Sequence, residues 1–78
     1  MPKITPITAQ KLIKVLMKLD FEEVRIRGSH HFFVHPISKK STTIPVHRNE
    51  VLGIGILRQI LRDIDLPLDR YEKLRLGK

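Results

Sequence analysis

The sequence has no cysteine and no tryptophan, so disulfides and thiolate-bound metals are excluded from the outset. It also has no long apolar run and no basic-then-apolar N-terminal pattern, so neither membrane insertion nor export is indicated and cytoplasmic residence is the expectation. At 78 residues the chain has no room for a second domain or a deep enclosed cavity, so no cofactor is expected and any active site should be a shallow surface. Acidic residues are the other shortage: 8 Asp and Glu stand against 15 Lys and Arg, a formal charge of +7. That imbalance favours a polyanionic partner, most often nucleic acid, although a generic solubilising charge gives the same count. A hydrophobic share of 41% with 29% charged residues is that of a folded domain.

Thr8 is placed to cap "TAQKLIKVLMKLD", in which Ala9, Leu12, Ile13, Leu16 and Leu19 recur at helical spacing and Lys11, Lys14 and Lys18 take the other face. The helix, residues 8 to 19, should stop at Asp20, which tolerates the left-handed conformation, with Phe21 folding back. "FEEVRIRG" then alternates, with Val24 and Ile26 on one side and Glu23, Arg25 and Arg27 on the other, as a half-buried strand does. Gly28-Ser29 is a turn signal, "HHFFVH" a second strand, and "STTIPVH" a third, whose Pro45 argues for an edge position or a bulge. A second helix follows with Leu57, Ile60, Leu61 and Ile64 as its apolar stripe, and Asp65-Leu66 repeats the stop seen at Asp20-Phe21. Pro67 opens a short, weak C-terminal helix. The expected fold is therefore α+β: one small domain over residues 1–78, ordered helix-strand-strand-strand-helix, with an antiparallel three-stranded sheet covered on one face by the helices. Its core should span roughly residues 8–66, with 67–78 a short terminal helix or tail. This is the layout of double-stranded-RNA-binding domains, which by itself assigns no function.

All four histidines, His30, His31, His35 and His47, fall within the second and third strands. Alternation puts His30, Phe32 and Val34 on one face and His31, Phe33 and His35 on the other. A zinc site built on His31 and His35 is disfavoured, because four strand steps separate them by about 13 Å, and no metal is expected. Ordinary half-buried strand residues account for two or three of the four. General acid-base chemistry needs only one imidazole, able to take a proton near neutral pH. RNA suits such a base: its 2′-hydroxyl can be deprotonated to attack the adjacent phosphorus while cations hold the developing charge. Arg27, Lys39, Lys40 and Arg48 are the cations nearest in sequence, though each could be merely a solvated charge. Gly28 and Ser29 single out His30, because a glycine with positive φ presents the next side chain at a strand start. Phe32 and Phe33 could stack on bases, but aromatics on a strand of a small domain are more often core.

These residues resemble the HicA family of small toxins from toxin-antitoxin pairs. The resemblance runs from Thr8 to Leu66 and is carried by the lysine-rich helix ending "LDF", by "RGSHHFFVHP", by "TTIPVH" and by "GILRQILRDIDL". It implies a double-stranded-RNA-binding-like fold, an mRNA-cleaving activity, and a HicB-like antitoxin as protein partner beside the mRNA substrate; with a zinc site disfavoured, the expectation is a metal-independent ribonuclease. The family's catalytic histidine falls on His30, its turn residues on Gly28 and Ser29, and a recurring histidine on His47; His47 or His31 would be the second proton-transfer group. Arg27, Lys39, Lys40 and Arg48 would bind phosphate. The rival expectation is a non-catalytic RNA-binding module on the same fold. The chain departs from the family pattern at Asp20 and Asp65, where glycine is common, at Ile56 in place of a threonine, and at Arg48-Asn49 in place of a proline-glycine pair.

Overall fold

The computed structural model describes residues 4–48 and 50–77; Asn49, partner of Arg48 in the loop after His47, lies outside them. The first helix, α1 (Ala9–Lys18), starts where Thr8 caps it, the threonine hydroxyl accepting a bond from the Lys11 amide at 3.3 Å. Ala9, Leu12, Val15 and Leu16 are buried beneath it. Its end is a Schellman closure built on an aspartate: Asp20 sits at φ 68°, its amide donates to the Met17 carbonyl, and the Phe21 amide donates to Leu16 at 3.0 Å. Phe21 is thereby folded back into the core.

The same device recurs at α2 (Ile54–Asp63). Asp65 takes φ 57°, its amide bonds to Arg62, and the amide of buried Leu66 bonds to Leu61 at 2.9 Å. Leu57, Ile60, Leu61 and Ile64 are buried as their spacing predicts. At the other end, Gly53 supplies no side-chain cap and Ile56 is exposed, so the residue standing where a threonine is common contributes neither a hydroxyl nor core packing.

Between the helices lie β1 (Glu22–Arg27), β2 (His30–Val34) and β3 (Ser41–Pro45), an antiparallel meander in the order β1-β2-β3. Pro45 therefore sits on an edge strand, where its missing N–H costs no ladder bond. Phe33 and Ile44 are fully buried and Thr42 nearly so, which identifies the face that both helices cover. Two features of β1 differ from the straight, half-buried strand expected. The register shifts between Glu23 and Arg25: Glu23 stands opposite Phe33, Arg25 opposite Phe32 and Ile26 opposite His31. This bulge at Val24 puts Glu23 on the same face as Ile26, with Arg25 and Arg27 opposite them. In addition, Val24 and Ile26 remain more than half exposed, because the helices pack chiefly on β3 and β1 is the far edge.

A third helix, α3 (Leu68–Arg75), is a working part of the core. Tyr71 is fully buried and its hydroxyl donates to the Thr5 carbonyl at 2.6 Å. Thr5 in turn donates to Glu72, which also takes two bonds from Arg75, and Lys18 of α1 reaches the Leu74 carbonyl at 3.4 Å. The segment before α1 and the end of the chain are thus clasped together. No described helix is long and apolar enough to cross a membrane.

Candidate functional site

The β1–β2 connection has only Gly28 and Ser29 between the paired residues Arg27 and His30. Gly28 has φ 57° and Ser29 does not share it, the pattern of a type II′ hairpin turn, which demands glycine at its first central position. The turn is also held from the other side, since the Val46 amide donates to the Ser29 carbonyl at 2.7 Å. His30 consequently starts β2 with Arg27 beside it on one strand and Pro45 on the other, all on the face away from Phe33 and Ile44. The imidazole is exposed. This end of the sheet thus presents a solvent-facing base next to a guanidinium that has no ion pair among the described residues.

The other histidines separate. His31 points to the helix-covered face and its Nδ1 lies 3.1 Å from Glu23. An interaction with a carboxylate makes Nδ1 the protonated nitrogen, and the structure does not bring His31 together with His30. His35 is a structural group: its Nδ1 accepts bonds from the amides of Ile37 and Ser38, and its ring meets the edge of Phe21 at 5.2 Å between centroids. With the Lys39 amide on its carbonyl and its own amide on Lys40, it organises the β2–β3 turn. His47 is exposed and lies two residues beyond Pro45, the cross-strand partner of His30. Pro45 and His47 line one small groove with Val51 and Ile56. Of the two candidates for a second proton-transfer group, His47 follows the strand residue that pairs with His30, whereas His31, next to His30 in β2, is on the opposite face. Among the described residues no three His, Asp or Glu side chains gather closely enough to hold a metal ion.

The candidate phosphate-binding residues divide between two ends. Arg27 adjoins His30, and Arg48 follows His47 and is exposed. Lys39, at φ 67°, and Lys40 belong to the β2–β3 turn, five strand residues from Pro45, or about 17 Å. Lys40 is further occupied by an ion pair with Asp65 at 3.0 Å. One residue that sequence reasoning passed over is Arg25. Strand alternation puts it with Arg27 on the His30 face, opposite Phe32, where its guanidinium carbon lies 5.2 Å from the ring centroid. The i, i+2 spacing of the two arginines was the available signal. Phe33 is core, whereas Phe32 is only half-buried.

Compared with known proteins, the chain matches the family model described as the HicA toxin of bacterial toxin-antitoxin systems, over residues 9–66. That stretch runs from the first residue of α1 to the residue that closes α2, and it contains the whole sheet. No curated protein sequence matches the chain.

Proposed function

We propose, for a chain that belongs to the HicA toxin family of bacterial toxin-antitoxin systems, that it is a metal-independent endoribonuclease acting on mRNA through His30. The observation that carries this reading is the placement of His30: an exposed imidazole, fixed by a two-residue turn, beside the guanidinium of Arg27, which has no ion pair among the described residues. In the reaction, neutral His30 takes the proton of a ribose 2′-hydroxyl. The O2′ then forms a bond to the adjacent phosphorus as the bond from phosphorus to O5′ breaks. Arg27 meets the charge that builds on the non-bridging oxygens, and Arg48 adds to the field at the same end. The departing O5′ must receive a proton, and His47, two residues past the strand partner of His30, is the candidate to deliver it. The products are a 2′,3′-cyclic phosphate and a 5′-hydroxyl, and the step needs no oxidant, water or metal.

The test is purified protein incubated with single-stranded RNA in the presence of a chelator. Wild type should cleave and His30→Ala should not, while the variant keeps the wild-type thermal midpoint. Undiminished cleavage by His30→Ala removes the assignment. Salt-dependent binding with no product from either protein identifies the rival, a non-catalytic RNA-binding module. The antitoxin partner is proposed to be HicB-like and to cover His30 and Arg27 together, which blocks the base and the phosphate path in one contact. An antitoxin footprint confined to α1 and α3 would contradict that arrangement.

A further inference from the structure

The face that carries His30 continues along β2 to Phe32 and Val34, and each has an arginine, a glutamate or a polar residue beside it. Arg25 lies opposite Phe32 on β1, Thr43 opposite it on β3, and Glu22 stands at the far end opposite Val34. Arg25 holds its guanidinium carbon 5.2 Å from the Phe32 centroid, and among the described residues it has no carboxylate partner. An arginine with free choice of solvent has thus settled over an aromatic ring, the geometry of a cation–π stack. The stack lies open on the sheet face away from both helices.

We propose that Arg25 and Phe32 form a stacking subsite for one unpaired base of single-stranded RNA, adjacent to the phosphate held at His30 and Arg27. The inference rests on the nuclease reading for the identity of the ligand, but its geometry is independent of catalysis. Two residues along a strand advance about 6.6 Å, on the order of one nucleotide step of an extended strand. A phosphate at Arg27 and His30 thus leaves the neighbouring base over Arg25 and Phe32. Planar guanidinium and aromatic faces both accept bases without regard to their hydrogen-bonding edges, so the subsite selects for an unpaired base rather than for a particular one. Bases inside a duplex cannot reach it. The element order is the layout of duplex-binding domains, yet the stack on this face suits single strands.

The experiment measures binding of a short single-stranded RNA to catalytically silent His30→Ala protein, alone and combined with Phe32→Leu or Arg25→Gln. Loss of the ring should weaken binding roughly 5- to 150-fold, the range of one stacked base. Replacing one base at a time by an abasic site should reveal a single position whose loss weakens binding to His30→Ala and changes nothing in the Phe32→Leu double variant. A duplex of the same sequence should bind both proteins alike. Because Phe32 is half-buried and its replacement could disturb the sheet, Arg25→Gln, on an exposed residue, gives the independent arm and should lose affinity in the same direction. Equal affinity across all variants, an abasic penalty that persists in Phe32→Leu, or no measurable single-strand binding overturns the proposal. If His30→Ala still cleaves RNA, the catalytic reading fails while these binding comparisons stand unchanged.

Discussion

Asp20 and Asp65 occupy, at φ 68° and 57°, a backbone conformation that costs most side chains about 1–2 kcal/mol and aspartate somewhat less. Asp20 has no ion pair among the described residues, so Asp20→Gly should relieve that cost and raise the thermal midpoint by a few degrees, read by circular dichroism. A lowered midpoint would mean that the carboxylate holds something the backbone argument omits. Asp65→Gly should gain less, because it also gives up the contact to Lys40, though an ion pair this exposed is worth little. Gly28 is the reverse case: a Cβ there meets nothing within 4 Å, so the cost of Gly28→Ala arises within the residue's own backbone, about 1–2 kcal/mol. It should also tilt the start of β2 and lower cleavage beyond any loss of folded protein. These residues were legible in the sequence because their signals are local. An Asp before a large apolar residue twice ends a helical stripe, and Gly-Ser interrupts an alternating run. The pairing of Arg25 with Phe32 follows by counting back from that two-residue turn, whereas the bulge at Val24 was not legible, since "EEVRIR" alternates as well without one, and it alone turns Glu23 to the face of Ile26 and His31.

At the scale of an element, α3 carries more than its sequence declares. "LDRYEKLR" is largely polar and short, so its local propensity predicts a weak helix; what holds it is Tyr71, whose partner Thr5 is 66 residues away, a distance no local pattern conveys. Tyr71→Ala should cost about 3–5 kcal/mol, as other buried aromatics do. Tyr71→Phe keeps the packing and loses the bond to Thr5, a cost of about 1 kcal/mol that urea unfolding would resolve. The same burial pushes the Tyr71 hydroxyl up to about 12, with the Glu72 charge adding to the effect. Its folded pKa thus lies above its unfolded value of about 10, so its contribution is complete below pH 10 and is lost between pH 10 and 12. Wild type should lose stability across that window more steeply than Tyr71→Phe, and parallel curves would disprove the link. Glu72 runs the other way: the bonds from Arg75 and then Thr5 hold its carboxyl below the usual range, so its contribution is present at neutral pH and is lost as the carboxyl protonates in acid.

At the scale of the molecule, a charge of +7 on 78 residues predicts binding that weakens with salt for almost any nucleic acid, so total affinity is a poor guide to where the RNA lies. The arrangement of the charges is the better guide. Arg27 and Lys39 stand at opposite ends of one sheet, about 17 Å apart along the strands, and neither is tied to a carboxylate among the described residues. A single strand laid from the His30 turn past Phe32 to the β2–β3 turn would meet both. Each phosphate contact on a single strand contributes about 0.7 to the slope of log affinity against log salt. Arg27→Gln and Lys39→Gln should therefore each flatten that slope by roughly this amount, measured by fluorescence anisotropy across a potassium chloride series. Lys40→Gln should flatten it less, because Asp65 already answers that charge at 3.0 Å. Oligonucleotide length separates a path from a diffuse field. An RNA too short to reach the β2–β3 turn should remain sensitive to Arg27→Gln and become indifferent to Lys39→Gln. If both substitutions act equally at every length, the charge works as an undirected cloud, and the RNA has no fixed course over the face that His30 shares with Phe32.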